Sequence, residues 1–157
     1  MQPTTTLRYA TEDDVPELVR LRAVMWTSMG LAVAEDGWRE RCAEVLALWL
    51  RTGAACAAVV EHPDGRRLMA CGVGTVDHRL PGSSNPSGRY GYIANMVTEA
   101  EFRGRGLAGE VLRLLLAWFD AQGIRTVDLH ASAQGEPIYR AHGFSENAQV
   151  ALRRRAG

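Results

Sequence analysis

The stretch from Arg89 to Ala131 limits the fold of this chain more than any other. Arg89 to Thr98 (RYGYIANMVT) is rich in β-branched and aromatic residues and reads as a long strand. Arg103-Gly104-Arg105-Gly106 follows as a turn. Leu107, Val111, Leu114, Leu115 and Trp118 then recur at three- and four-residue intervals, the spacing of one face of a helix that runs to Gly123. Thr126 to Ala131 (TVDLHA) reads as a second, short strand. A strand, a glycine turn, a helix and a strand therefore follow one another in order.

The flanking segments supply the remaining layers. Residues 4–10 (TTTLRYA) are β-prone, and Thr11 followed by Glu12, Asp13 and Asp14 is a cap-like residue before an acidic first helical turn. Val15, Leu18, Val19, Arg22, Met25, Trp26 and Met29 form a stripe on a first helix ending near Gly30. Trp38, Cys42, Val45, Leu46 and Trp49 form a stripe on a second helix ending at Gly53, and the three tryptophans of these stripes read as core. Ala54 to Val60, the turn His62-Pro63-Asp64-Gly65 and Leu68 to Leu80 read as a hairpin, and Pro81 to Gly88 as a loop too short to separate domains. A short helical pattern around Ile138 to His142 and a strand over Gln149 to Arg153 complete the order βααβββαβαβ. A length of 157 residues suits one domain, 1–157, large enough to bury a core of its own.

Composition removes several functions. Eighteen basic residues balance eighteen acidic ones, which gives no sign of a nucleic-acid or membrane-surface partner. All eighteen basic residues are arginine, so Schiff-base lysine chemistry and the phosphate-loop lysine of Walker-type sites are excluded. Cys42, Cys56 and Cys71 are odd in number, lie in apolar surroundings and show no CxxC spacing, as reduced, buried thiols of a cytoplasmic protein do. The acidic start and the lack of a long apolar run speak for neither a secretory signal nor a membrane span. His62, His78 and His142 show no ligand spacing, which supports no metal site, and no G-x-S-x-G elbow is present. Arg153 to Arg155 read as a solvated end rather than a nucleic-acid patch.

Arg103 to Ala108 (RGRGLA) is the stretch that points to chemistry. Glycines let backbone N–H groups turn outward, a helix's first turn leaves such groups unpaired, and its dipole favours an anion there. Arg103 and Arg105 add positive charge, so the turn reads as a phosphate cradle, although a plain glycine turn before a helix gives the same pattern. Gly104, Gly106 and Gly109 also satisfy G-x-G-x-x-G. A nicotinamide-dinucleotide site is disfavoured: the motif follows two helices and a hairpin, and Asp128 lies inside its strand rather than at its end.

These residues resemble the GNAT N-acetyltransferase superfamily, whose [Q/R]-x-x-G-x-[G/A] motif is matched by Arg103, Gly106 and Ala108. Ile93 to Thr98 (IANMVT) is similar to the family's fourth strand and Leu129-His130-Ala131 to its fifth. Tyr139 to Phe144 (YRAHGF) resembles its Y-x-x-x-G-F signature. The resemblance implies an α/β (α+β) fold: a central mixed, largely antiparallel sheet with helices on both faces, splayed between strands 4 and 5.

It also implies acetyl-CoA as cosubstrate, with no metal. By position, Arg103, Gly104, Arg105, Gly106, Leu107 and Ala108 would bind its pyrophosphate. Met96, Val97 and Thr98 would receive the pantetheine arm as an added strand, the Val97 N–H would polarise the thioester carbonyl, and Tyr139 would protonate the leaving thiolate. Histone-type members carry a glutamate base where this chain has Ala94. Glu35, Asp36, Glu99, His130 or a water chain are the alternatives, His130 having the intrinsic pKa that suits the task. The acceptor is an amine on a small molecule or peptide, in a pocket for which Trp26, Met29, Glu35, Asp36 and Trp38 are candidates. A homodimer is compatible with the resemblance. A non-catalytic acyl-CoA sensor is the rival from another class, and the missing carboxylate at Ala94 is its support.

Overall fold

The computed structural model of the chain describes residues 4–157. Strand β1 (Thr6–Tyr9) is followed by a 3-10 turn at Glu12–Asp14, helix α1 (Val15–Ser28), helix α2 (Trp38–Thr52) and strands β2 (Ala55–Glu61), β3 (Leu68–His78) and β4 (Arg89–Thr98). A 3-10 turn at Ala100–Phe102, helix α3 (Leu107–Ala121), strand β5 (Val127–Leu129) and helix α4 (Glu136–Ala141) complete the chain order. The sheet runs β1-β2-β3-β4-β5, antiparallel except for the parallel pair β4–β5, which α3 connects. This is the mixed, largely antiparallel sheet that the resemblance implies.

Strand alternation divides the core between two faces. On β2, Ala55, Ala57 and Val59 pack with α1 and α2, whereas Cys56, Ala58 and Val60 pack with α3. Being covered on both sides, β2 reads as an unbroken apolar run rather than an alternating one. Helix α3 lies close to the sheet because Gly91 has no side chain. A Cβ there would stand 2.7 Å from the Phe119 ring and 2.9 Å from Val127.

Three expectations need correction. The residues of α3 with no solvent exposure are Val111, Leu112, Leu115 and Phe119, so its inward face is rotated by about one residue from the predicted stripe, and Leu114 and Trp118 flank it. Helix α2 is rotated likewise: Leu46, Ala43, Ala47 and Leu50 face the core, and Trp49 is 40% exposed. Trp38 does pack against that core, but Cys42 is only half-buried. Finally, Gln149 to Arg153 forms no strand. Its two apolar residues, Val150 and Leu152, are exposed, and the edge strand β5 is three residues long, too short to order a further partner.

Candidate active site

The fold opens a gap between β4 and β5. The two strands pair only at Gly91–Val127, Tyr92–Asp128 and Ile93–Leu129, so β4 continues to Thr98 with its outer edge unpaired. A β-bulge lies just beyond the last pair: Val73 faces Ala94 and Cys71 faces Val97, which leaves three steps on β4 against two on β3. Ile93 and Val97, four residues apart, would share a face on a regular strand. Here Ile93 packs with α3 and Val97 with α1 and α2. Asn95 sits in the bulge at φ 56°, a left-handed conformation that asparagine tolerates better than most residues.

The bulge is secured from below. The buried Asn95 amide donates to the Leu18 carbonyl at 3.5 Å, and its carbonyl oxygen Oδ1 accepts from Arg22 at 3.3 Å. The Cys71 thiol donates to the Asn95 main-chain carbonyl at 3.4 Å, and burial pushes that thiol up to about 12. Cys71 is thus a structural thiol.

The glycine turn closes one end of the gap. Gly106 precedes α3 at φ 78°, and the first helical bond there is donated by Glu110 N–H to the Gly106 carbonyl at 3.2 Å. Among the described residues, the N–H groups of Leu107, Ala108 and Gly109 have no main-chain acceptor, as the first turn of a helix dictates. Arg103, whose Nε donates to the Thr98 carbonyl at 3.3 Å, forms no ion pair among the described residues. Arg105 has none either, but its guanidinium lies over the Phe102 ring at 5.3 Å and faces a separate hollow near His62.

Helix α4 closes the other side. Its end is a Schellman turn, in which Phe144 N–H donates to the Tyr139 carbonyl at 3.1 Å and Gly143 N–H to that of Arg140 at 3.1 Å. The Phe144 ring meets that of Tyr139 edge-on at 6.0 Å. The Y-x-x-x-G-F spacing is thus the spacing of this turn. Tyr139 is half-buried, its hydroxyl has no hydrogen-bond partner among the described residues, and burial raises its pKa above that of a free phenol. One cavity of about 710 Å³ joins these parts, lined among others by Met96, Val97, Thr98, Arg103, Gly104, Gly106, Leu107, Ala108, His130 and Tyr139.

The family model for acetyltransferases of the GNAT type matches residues 17–144. The chain belongs to the GNAT acetyltransferase family. Solved structures with the same fold include a predicted acetyltransferase from Clostridium acetobutylicum with acetyl-CoA, 24% identical over 96% of each chain with a TM-score of 0.88. A GCN5-related N-acetyltransferase from Ralstonia eutropha is 24% identical over 96% of this chain and 98% of its own, with a TM-score of 0.84. Glucosamine-6-phosphate N-acetyltransferase from Arabidopsis thaliana is 18% identical over 96% of this chain and 98% of its own, with a TM-score of 0.76. No curated protein matches the chain.

Within this GNAT fold, the residues expected at the site divide clearly. All those named for acetyl-CoA line the cavity except Arg105, whose side chain turns away. Of the base candidates, His130 lines it and the three carboxylates do not. Glu99 is ion-paired with Arg20, which also holds Glu17 at 2.5 Å, and Glu35 pairs with Arg39 at 3.0 Å. Trp26 and Met29 line the cavity, whereas Asp36 and Trp38 do not. The structure adds Tyr92, Asn95 and Arg22. The Tyr92 hydroxyl lies 2.6 Å from His130 Nδ1, and burial raises the Tyr92 pKa, so the phenol keeps its proton at neutral pH. No sequence spacing links two residues 38 positions apart. Asn95 and Arg22 had a local signal: Asn95 is polar in an apolar run, and Arg22 is charged in an otherwise apolar helical stripe.

Proposed function

We propose that this GNAT chain moves an acetyl group from acetyl-CoA to a primary amine of a small molecule, by direct transfer within a ternary complex. The observation that carries the reading is the continuity of the cavity, from the unpaired N–H groups of the glycine turn, along the free edge of β4, to Tyr139 and His130. Glucosamine-6-phosphate N-acetyltransferase, which shares the fold, takes a small-molecule amine by its name, in support of that acceptor class.

The amides from Gly104 to Ala108, with Arg103, receive the pyrophosphate at the positive end of α3. The free edge of β4 from Met96 to Thr98 receives the pantetheine arm as a strand would, and the Val97 N–H polarises the thioester carbonyl. The amine lone pair attacks the carbonyl carbon, the carbon–sulfur bond breaks, and the thiolate takes a proton from Tyr139. Burial keeps that phenol protonated, and its pKa lies above that of a thiol near roughly 8.5. The amine proton leaves to His130. For this, neutral His130 must carry its proton on Nδ1 and donate it to the Tyr92 oxygen, which leaves Nε2 as the acceptor.

The test is thermal stability with acetyl-CoA, CoA and NAD, followed by thiol release with a panel of amines. Binding of the CoA compounds at one hundred times their dissociation constant stabilises the fold by about 2.7 kcal/mol, and NAD leaves it unchanged. Stabilisation without thiol release for any amine would identify an acyl-CoA sensor instead.

A further inference from the structure

The acceptor end of the cavity carries a charge that the transfer chemistry does not use. Arg22, on α1, is half-buried and lines the cavity. Its guanidinium lies 4.8 Å from the centre of the Trp26 ring, and it donates to Asn95 Oδ1 at 3.3 Å. Trp26 is backed by Trp38 at 4.7 Å, and Trp38 is held by an indole N–H bond of 2.9 Å to the Ala34 carbonyl. The cation is therefore fixed in place by an aromatic stack and by the bulge. Among the described residues it has no carboxylate partner, and no aspartate or glutamate lines the cavity.

The cavity's other arginine, Arg103, stands at the glycine turn. It is tied to Thr98, whereas Arg22 is tied to Asn95, three residues away along β4. Arg22 stands on α1, whereas Arg103 stands in the turn before α3, and these two helices pack on opposite faces of the sheet. Arg103 therefore serves the phosphate end, and Arg22 faces whatever enters from the side of α1. Around it, Met25, Trp26, Met29 and Leu31 offer apolar surface.

We infer that the acceptor amine carries an anionic group, a carboxylate or a phosphate, which the Arg22 guanidinium receives. A fixed guanidinium suits this task because its planar fork pairs with two oxygens of such a group. A polycationic amine is disfavoured, as it would meet a positive charge and no carboxylate. The identity of the amine as acetyl acceptor rests on the proposed transfer; the anion preference does not.

The test uses matched probes that differ in the anion: phenylalanine against phenylalanine amide, and glucosamine 6-phosphate against glucosamine. Binding to the CoA-loaded protein is measured by calorimetry, and acetylation by thiol release, for the parent, Arg22→Lys and Arg22→Gln. At least one anionic probe binds at least about tenfold more tightly than its partner without the anion, the phosphate and carboxylate arms showing which oxyanion is read. Arg22→Gln abolishes that preference and Arg22→Lys keeps only part of it, while the affinity for CoA is unchanged. Arg22-dependent binding without acetylation would sustain the anion site and overturn the transfer reading. Acetylation of amines that lack an anionic group as readily as of those that carry one, or no binding of either anionic probe, would overturn the anion site.

Discussion

Replacing Tyr139 with phenylalanine deletes one oxygen and leaves the ring. Because the hydroxyl makes no hydrogen bond among the described residues, and the ring keeps its edge-on contact with Phe144, folding stability changes little, by less than about 0.5 kcal/mol. The effect on turnover is of another size. A positioned acid contributes roughly 10²–10⁴-fold, or about 2.7–5.4 kcal/mol of barrier at 1.36 kcal/mol per factor of ten. In the parent, burial raises the Tyr139 pKa, so the acid form persists through neutral and mildly alkaline pH and is lost only above the ordinary phenol range, near roughly 10. The assay is single-turnover release of CoA thiol with a saturating amine, followed from about pH 6 to pH 9. The variant is slower throughout, and its affinity for acetyl-CoA, set at Arg103 to Ala108, is unchanged. A variant that releases thiol at the parental rate across this range, with chemistry limiting, would refute the general-acid assignment.

Gly106→Glu places a carboxylate beside the unpaired N–H groups of α3 and a Cβ on a residue at φ 78°, at a strain of about 1–2 kcal/mol. Calorimetry should show acetyl-CoA affinity falling at least tenfold in a folded variant, and undiminished affinity would contradict the cradle. His130→Ala lowers kcat/KM at neutral pH and regains part of it as pH rises and solvent supplies free amine; a uniform loss at every pH would mark a structural histidine. At Asp14, burial raises the carboxyl pKa, but the hydrogen bonds from Arg8 and the Thr11 N–H outweigh it and hold the group below the usual carboxylate range. Its contribution is therefore present above that range and lost as pH falls through the depressed value, so Asp14→Asn destabilises the fold near neutral pH and less in acid; equal destabilisation at every pH would contradict this.

The helices and strands were legible where periodicity and punctuation agree. Gly53 and Gly123 mark the ends of α2 and α3, and the Y-x-x-x-G-F turn of α4 carries its own spacing. Helix faces were less so. On α3, both Trp118 and Phe119 are apolar, and only the sheet glycines select the inward one. The bulge was invisible as a pattern, because IANMV alternates equally well without it, and the extra residue appears only in the pairing with β3. The acetyl-CoA end was readable because backbone N–H groups at a helix start are a local feature. The acceptor end was not: Tyr92 with His130, and Arg22 with Asn95, are pairs that the fold alone brings together.

Mass spectrometry of a reaction with isotopically labelled acetyl-CoA and the amine panel tests acetyl transfer most directly. The account predicts a labelled acetyl group on the amine nitrogen, formed in equal amount with free CoA, and none on the protein. CoA binding with no labelled amine, or label accumulating on the protein itself, would contradict it.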